Sequence, residues 1–481
     1  MNGLRTWLRP LALLVVTAGA VAVWGRTDAN VARDTAAPAR SKDGFIVVQT
    51  LDDLRQYATT SGVKVRLQPG AYQIRKAPGR KFIEFSGSDS HFDLRGVTLQ
   101  VDNDLFRQFG SAAGPDGIYA ALNLSGSRIT LDGVTIENLG TEPGIQSRNK
   151  LVNITGSNVV LRDVTVRTSG SSPWGYGSLF GISGGPVRKM NGIRVGYPAQ
   201  NVQILGCRVH MRAMGHAIFV QGARGTLIRD SHVDGLLRPT NDILTETSGY
   251  AFDRNFEMIG NGEGVYRPAD GRIPPNDMMS LSEDGIRMYP DDGQGHPTGP
   301  TRIENCTVLR MRRGICTGLS AAGDTVVNSE ARECIATGFN LGTDDLLKNC
   351  RADAKYGEAL CLPYSGSRNA RADLTILDSR GGMGNDLLVK ITGSDHDVVL
   401  RSESPASVPP GMVIELASRR GYGFWQRDVR AENIRLVNET SAPVLLKPNT
   451  TRPRVTSRSP VRDETKLLST DALSVGQRRG S

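Results

Sequence analysis

Lys150-Leu-Val-Asn153, Asn191-Gly-Ile-Arg194, His216-Ala-Ile-Phe219, Asp284-Gly-Ile-Arg287, Arg313-Gly-Ile-Cys316, Thr337-Gly-Phe-Asn340 and Glu358-Ala-Leu-Cys361 are seven versions of one short phrase. A polar or charged residue stands first in every version but is never the same twice, while the third position is always apolar. After about ten residues a second strand-like segment follows in the later versions: NVQILGCRV, GTLIRDSHV, PTRIENCTV, DTVVNSEAR and LLKNCRADA. Strand and turn alternating at a period of roughly two dozen residues indicate a solenoid. In such a stack equivalent positions of successive coils lie about 4.8 Å apart. Aligning the repeats therefore predicts which side chains touch.

Working outward, the stretches FDLRGVTL, ALNLSGSRITLDGVTI and LVNITGSNVVLRDVTV carry the same coils toward the N-terminus. Before them, Thr50-Leu-Asp-Asp53 is a helix-capping signal, and LDDLRQYATT places Leu51, Leu54 and Tyr57 at helical spacing. A short helix there would cover the open end of the strand stack. Composition agrees with thin coils. Across 481 residues there are 55 glycines, 6% aromatic residues and 38% hydrophobic residues, which suits many turns and one narrow buried stripe per coil.

Residues 1–29 read as an export signal or anchor, with Arg5 and Arg9 before an apolar run too short to span a bilayer comfortably. The expected location is secreted or periplasmic, with no membrane contact beyond that segment. A polar linker is expected over 30–44 and the repeat domain over 45–447. Loop insertions interrupt it at 169–190 and 236–282, and a turn-rich loop occupies 289–300. Residues 448–481 are expected to be a basic, disordered tail. Cys207, Cys306 and Cys350 fall on alternate coils of one column, and Cys316 and Cys361 share another, which argues against disulfides.

The opening helix, LQPGAYQI, FDLRGVTL and SNVVLRDVTV together resemble the right-handed parallel β-helix superfamily, the pectate-lyase-like group. The resemblance covers roughly residues 45–447. It implies an all-β, single-stranded right-handed parallel β-helix with a short N-terminal capping helix. Relatives include polysaccharide lyases, uronan epimerases, glycoside hydrolases and phage tailspikes, so fold alone does not select an activity. The Asp-Pro-His-Asp signature of mannuronan epimerases and the paired-aspartate strand motifs of polygalacturonases are absent.

The columns supply the chemistry. One reads Lys150, Asn191, His216, Asp284, Arg313, Thr337, Glu358, and three residues later a second reads Asn153, Arg194, Phe219, Arg287, Cys316. If both face outward, His216 lies between Asn191 and Asp284 with Arg194 and Arg287 close by. β-Elimination from a uronate needs a cation at the carboxylate, a base for the C5 proton and an acid for the leaving oxygen. His216 is the candidate base, Asp284 its orienting partner, and Arg194 and Arg287 the carboxylate clamp. Lys150, Asn191 and Arg313 would extend the binding strip. Trp174, Tyr176, Tyr250 and Tyr266 would stack on sugars, and a tyrosine would supply the acid.

The net charge of +9 favours an anionic polysaccharide as partner. The alternatives are a glycoside hydrolase pairing Asp284 with Asp253, Glu283 or Asp230, and a non-catalytic carbohydrate-binding solenoid. No cofactor is expected. Cysteine and histidine spacings exclude a zinc site, while Asp291-Asp292 and Asp344-Asp345 are oxygen-rich pairs of the kind that bind calcium. Phosphate loops, nucleophile elbows and nucleic-acid-reading basic and aromatic stretches are absent, so no nucleic acid partner is expected.

Overall fold

The computed structural model describes residues 40–466 except 108–118, 141–148, 182–185, 259–270, 321–322, 383–384 and 420–428. Thirteen parallel strands, from Lys81–Phe85 to Val461–Asp463, form one sheet. A twenty-two-stranded sheet wraps the rest of each coil in two rows. Gln203–Leu205 and Arg208–Met211, for example, pair onward with Thr226–Arg229 and His232–Asp234. The chain is a right-handed parallel β-helix.

The turn between the two rows explains one recurrent phrase of the sequence. Asp163, Gly206, Asp230, Asn305, Asn328 and Asn349 all occupy it with φ between 51° and 62°. That left-handed conformation costs most residues roughly 1–2 kcal/mol and suits Gly, Asn and Asp. Neighbouring turns are tied together: Asn305 donates to Asp230 at 3.0 Å and Asn349 to Asn328 at 2.7 Å. The cysteines beside these turns alternate with serines. The Cys207 N–H donates to Ser231 Oγ and the Cys306 N–H to Ser329 Oγ, and all six cysteines are buried and free.

Helix α1 (Leu51–Ala58) forms where the capping signal lies. Thr50 Oγ1 accepts from the Asp53 N–H at 3.1 Å, and Leu54 and Ala58 are buried against the first coils. At the other end the coils outrun the expected boundary at 447. Thr450–Thr451, Arg454–Ser457 and Val461–Asp463 are strands in register with the preceding coil, so the tail can begin only after them. Their alternation was hidden because short polar and β-branched residues replace the usual apolar ones. The export segment, and the linker as far as residue 39, lie outside the described residues. No described helix is long and apolar enough to cross a membrane.

Five rungs of the thirteen-stranded sheet matter most: β1 (Asn149–Ile154), β2 (Met190–Gly196), β3 (Ile218–Gln221), β4 (Asp284–Met288) and β5 (Arg313–Cys316). The 169–190 excursion and the 236–282 insertion leave the same corner of the coil, just before β2 and β4. The insertion has an antiparallel stem, Leu237–Pro239 against Met278–Ser280. The two excursions share a second apolar cluster that includes Tyr176, Phe180, Ile243 and Met279, separate from the main core. The insertion is thus clamped to the solenoid wall by its own small core.

Candidate functional site

Parallel pairing fixes both columns. Lys150 pairs with Asn191 and Asn153 with Arg194. Arg194 pairs with Phe219, Phe219 with Arg287, and Arg287 with Cys316, while Asp284 pairs with Arg313. The small second residue of the repeated phrase explains how first and fourth positions share a wall. A Cβ on Gly285 would sit 2.3 Å from Val308 Cγ1, and one on Gly314 2.8 Å from Ala331 Cβ. Val308 and Ala331 belong to the interior, so the second and third residues both face inward and the chain bends between first and third.

Asp284 is the electrostatic centre. It is fully buried and accepts from Arg287 Nη1 at 2.8 Å, Arg312 Nη2 at 3.1 Å, Arg313 Nε at 2.8 Å and Arg313 Nη2 at 3.0 Å. Burial alone would raise its pKa, but Arg313, Arg312 and Arg287 outweigh burial and hold it well below the carboxylate range. Glu283 next to it binds Lys189 Nζ at 2.7 Å and is likewise lowered, with His216, Lys189 and Arg312 overcoming burial. Four cations (Lys189, Arg287, Arg312 and Arg313) thus gather around two carboxylates.

His216 sits between these carboxylates. Its backbone N–H donates to Asn191 Oδ1 at 3.0 Å, and Asn191 Nδ2 donates to the Asn149 carbonyl at 3.0 Å. Asn191 therefore braces the rung rather than facing a ligand. The imidazole Nδ1 lies 3.4 Å from the Asp284 N–H and 3.5 Å from Asp284 Oδ2. Nε2 lies 2.7 Å from Tyr289 Oη and 3.3 Å from Glu283 Oε2. Burial lowers the His216 pKa to about 4 against the pull of Glu283 and Asp284, so the ring is neutral at neutral pH. Only 6% of its side chain is exposed, and Tyr289, partly exposed, stands in front of it. Tyr289 is pushed up to about 12 by burial and keeps its proton, and Arg287 lies 4.7 Å over its ring.

Arg194 is held differently. Its Nη1 donates to Asn153 Oδ1 at 3.1 Å and its Nε to Gln221 Oε1 at 3.2 Å. Among the described residues no carboxylate lies within 4 Å of it, and burial lowers its pKa to about 10. Behind it runs a chain of amides: Asn153 donates to Asn123 at 2.6 Å and Asn123 to Glu84 at 2.7 Å. Gly196 makes room for the guanidinium, since a Cβ there would fall 2.1 Å from Arg194 Nη1. Other donors also lack hydrogen-bond partners among the described residues: Arg287 Nε, and Arg312 Nε and Nη1. Buried guanidinium donors left in this state cost free energy unless an anion or water fills the place.

The expected residues are thus sorted. His216, Asp284 and Arg287 come together, all buried, while Arg194 stands two rungs from Arg287 in the same column. Arg313 grips Asp284 in two places, and Lys150 is buried at the head of the column. Tyr176 and Tyr250 belong to the insertion's own core, where Tyr176 donates to Glu246 at 2.7 Å, so they are not free sugar platforms. Trp174 stays 38% exposed, its Nε1 donating to the Arg212 carbonyl at 2.7 Å. Tyr266 lies outside the described residues. Two of the three hydrolase partners of Asp284 lie elsewhere, Asp230 in a turn of the other sheet against Asn305 and Asp253 exposed on the insertion, while Glu283 shares His216 with Asp284. The paired aspartates serve turns. Asp292 accepts from the Gln294 and His296 N–H groups, Asp345 is buried against Thr317 and Gly342, and Asp344 points outward to Asn369.

Sequence reasoning missed Tyr289, Lys189 and Arg312, and it weighed Glu283 only as a hydrolytic carboxylate. All four lie just outside the repeated phrase, at corners or strand ends. The signal available was adjacency: Glu283 and Arg312 immediately precede column residues.

No protein-family model and no curated protein matches the chain. Solved structures do. The alginate lyase AlyF-OU02 in complex with G6 matches with 13% identity over 88% of this chain and 87% of that one, TM-score 0.47. An alginate lyase from Paenibacillus sp. str. FPU-7 matches with 12% identity over 87% and 99%, TM-score 0.35. PfbA, a surface adhesin of Streptococcus pneumoniae, matches with 13% identity over 86% and 84%, TM-score 0.45. Lyases and an adhesin stand side by side among these matches.

Proposed function

We propose that the protein is a polysaccharide lyase that cleaves an anionic, uronate-containing polysaccharide by β-elimination. The observation that carries this reading is the His216–Tyr289 pair at 2.7 Å, with the buried Arg287 over the tyrosine ring and Arg287 Nε, Arg312 Nε and Arg312 Nη1 each lacking a hydrogen-bond partner among the described residues. A substrate carboxylate supplies that partner, and a guanidinium binding it stabilises the negative charge that develops at C5.

In the tautomer that carries its proton on Nδ1, toward Asp284 Oδ2, His216 takes the Tyr289 proton at Nε2 while Tyr289 Oη takes the C5 proton. Glu283 and Asp284, 3.3 and 3.5 Å from the ring nitrogens, stabilise the transient imidazolium. The C4–O bond breaks as the C4–C5 double bond forms. The proton returns through Tyr289 to the leaving oxygen, and the resting protonation states are restored. Hydrolysis would instead need a carboxylic acid with a raised pKa at the centre. Glu283 and Asp284 are both lowered, which favours elimination.

Export to the periplasm or the medium fits this substrate and belongs to the proposal. The test is incubation of the chain with alginate, pectate, glycosaminoglycans and neutral glycans, following the ultraviolet absorbance of unsaturated uronides together with reducing ends. Absorbance from an acidic polymer, lost in Tyr289→Phe, is the expected result. Reducing ends without absorbance, or full activity in Tyr289→Phe, would overturn it.

A further inference from the structure

Beside Arg194, at the end of β2, two rings lie face to face in the open. Tyr197 and His296 stack with centroids 3.6 Å apart and planes 7° from parallel. Tyr197 is 46% exposed and the His296 side chain 40% exposed, although the stacking already covers one face of each ring. Among the described residues only Phe252 matches Tyr197 in exposure among the large hydrophobic side chains.

The pair is built to hold its place. Asp292 Oδ2 meets His296 Nδ1 at 2.8 Å, and Asp292 Oδ1 accepts the His296 N–H at 3.1 Å. The loop carrying both is pinned to the rung before it, since the Gly222 N–H donates to Thr298 Oγ1 at 2.8 Å. Tyr197 is anchored to the same rung, its N–H donating to the Gln221 carbonyl at 3.0 Å. Gln221 also receives Arg194 Nε through its side chain, and Asp292, which holds His296, is the carboxylate whose charge acts on Arg194. The loop that presents His296 begins at Tyr289. A rigid aromatic surface therefore flanks the cationic pocket, on the strand and the loop that carry Arg194 and Tyr289.

We propose that the Tyr197–His296 stack is a sugar-binding platform that takes the apolar C–H face of the pyranose ring next to the uronate held by Arg194. The inference rests on the lyase reading for the identity of that neighbouring uronate. Platform and carboxylate clamp together favour oligomers over single sugars, because a monosaccharide reaches only one of them. The roughly 3- to 10-fold loss expected on removing the platform corresponds to about 0.65–1.4 kcal/mol.

Calorimetric titration of the full chain and of Tyr197→Ala, Tyr197→Phe and His296→Ala with uronate oligosaccharides of increasing length tests this, with turnover followed separately by absorbance. The expected result is about 3- to 10-fold weaker binding of the longer oligomers in Tyr197→Ala, an intermediate loss in His296→Ala and near-native binding in Tyr197→Phe. Turnover with unchanged binding in Tyr197→Ala would overturn the platform and leave the lyase reading standing. Platform-dependent binding without turnover would do the reverse. No binding to any oligosaccharide would overturn both, and so would Tyr197-dependent binding of a single-stranded oligonucleotide in place of sugars.

Discussion

His216 Nε2 and Tyr289 Oη lie 2.7 Å apart, although the two residues are separated by 73 positions in the chain. The tyrosine follows the rung that stacks directly on the histidine's own, so a partly exposed phenol is backed by a buried imidazole. Tyr289→Phe keeps the ring beneath Arg287 and removes only the hydroxyl. The expected outcome is a fall in kcat of about 100-fold or more with KM little changed, checked by steady-state kinetics on whichever acidic polymer is cleaved.

Arg194→Met separates binding from stability. The guanidinium is buried and is balanced only in part by the more distant Asp292 charge, so an apolar chain of similar length costs the fold little. A KM about 10-fold or more above wild type is expected, with a melting free energy within about 1 kcal/mol of wild type. A large drop in melting temperature would show that the arginine is structural.

Gly196→Ala reaches the same guanidinium indirectly. The new methyl would lie 2.1 Å from Arg194 Nη1, so the side chain must move aside while backbone and charge remain. Kinetics are expected to resemble those of Arg194→Met. The double variant should lose little more than either single one, because the two changes disable one interaction.

Asp324 provides a pH test away from the site. It is fully buried beside Asp345, and burial followed by the Asp345 charge raises its pKa from 3.8 to about 7. The folded chain thus holds a proton that the unfolded chain has released between those values, and stability from this group falls as pH rises from about 4 to 7. His216 and His396, both lowered to about 4 by burial, act in the opposite direction between about 4 and 6.5. Comparing wild type with Asp324→Asn cancels the histidine contribution. The variant is expected to gain on the order of 2–4 kcal/mol relative to wild type at pH 8 and little at pH 4, read by denaturant melts at each pH.

The columns were legible because a parallel stack converts spacing in sequence directly into contact. Ile193, Ile218, Ile286 and Ile315 announce the register, and Asn191, His216, Asp284 and Arg313 follow from it. What covers those columns was not legible. The insertion's apolar residues obey no repeat, so Tyr176 and Tyr250 read as loop aromatics free to stack when they are the small core that holds the insertion down. Tyr289 stayed hidden for a related reason. It sits one residue past β4, where alternation stops, and only the fold turns it back over His216. The last coils were missed because Thr450, Thr451 and Thr456 keep strand geometry without an apolar signature.

His216 and Asp284 are 68 residues apart yet occupy adjoining rungs, because the whole intervening detour departs and rejoins at one corner through a narrow antiparallel neck. The spine of the helix is therefore indifferent to what hangs from that neck. Lengthening, trimming or exchanging the appendage beyond that neck is expected to leave the register of the His216 and Asp284 rungs unchanged.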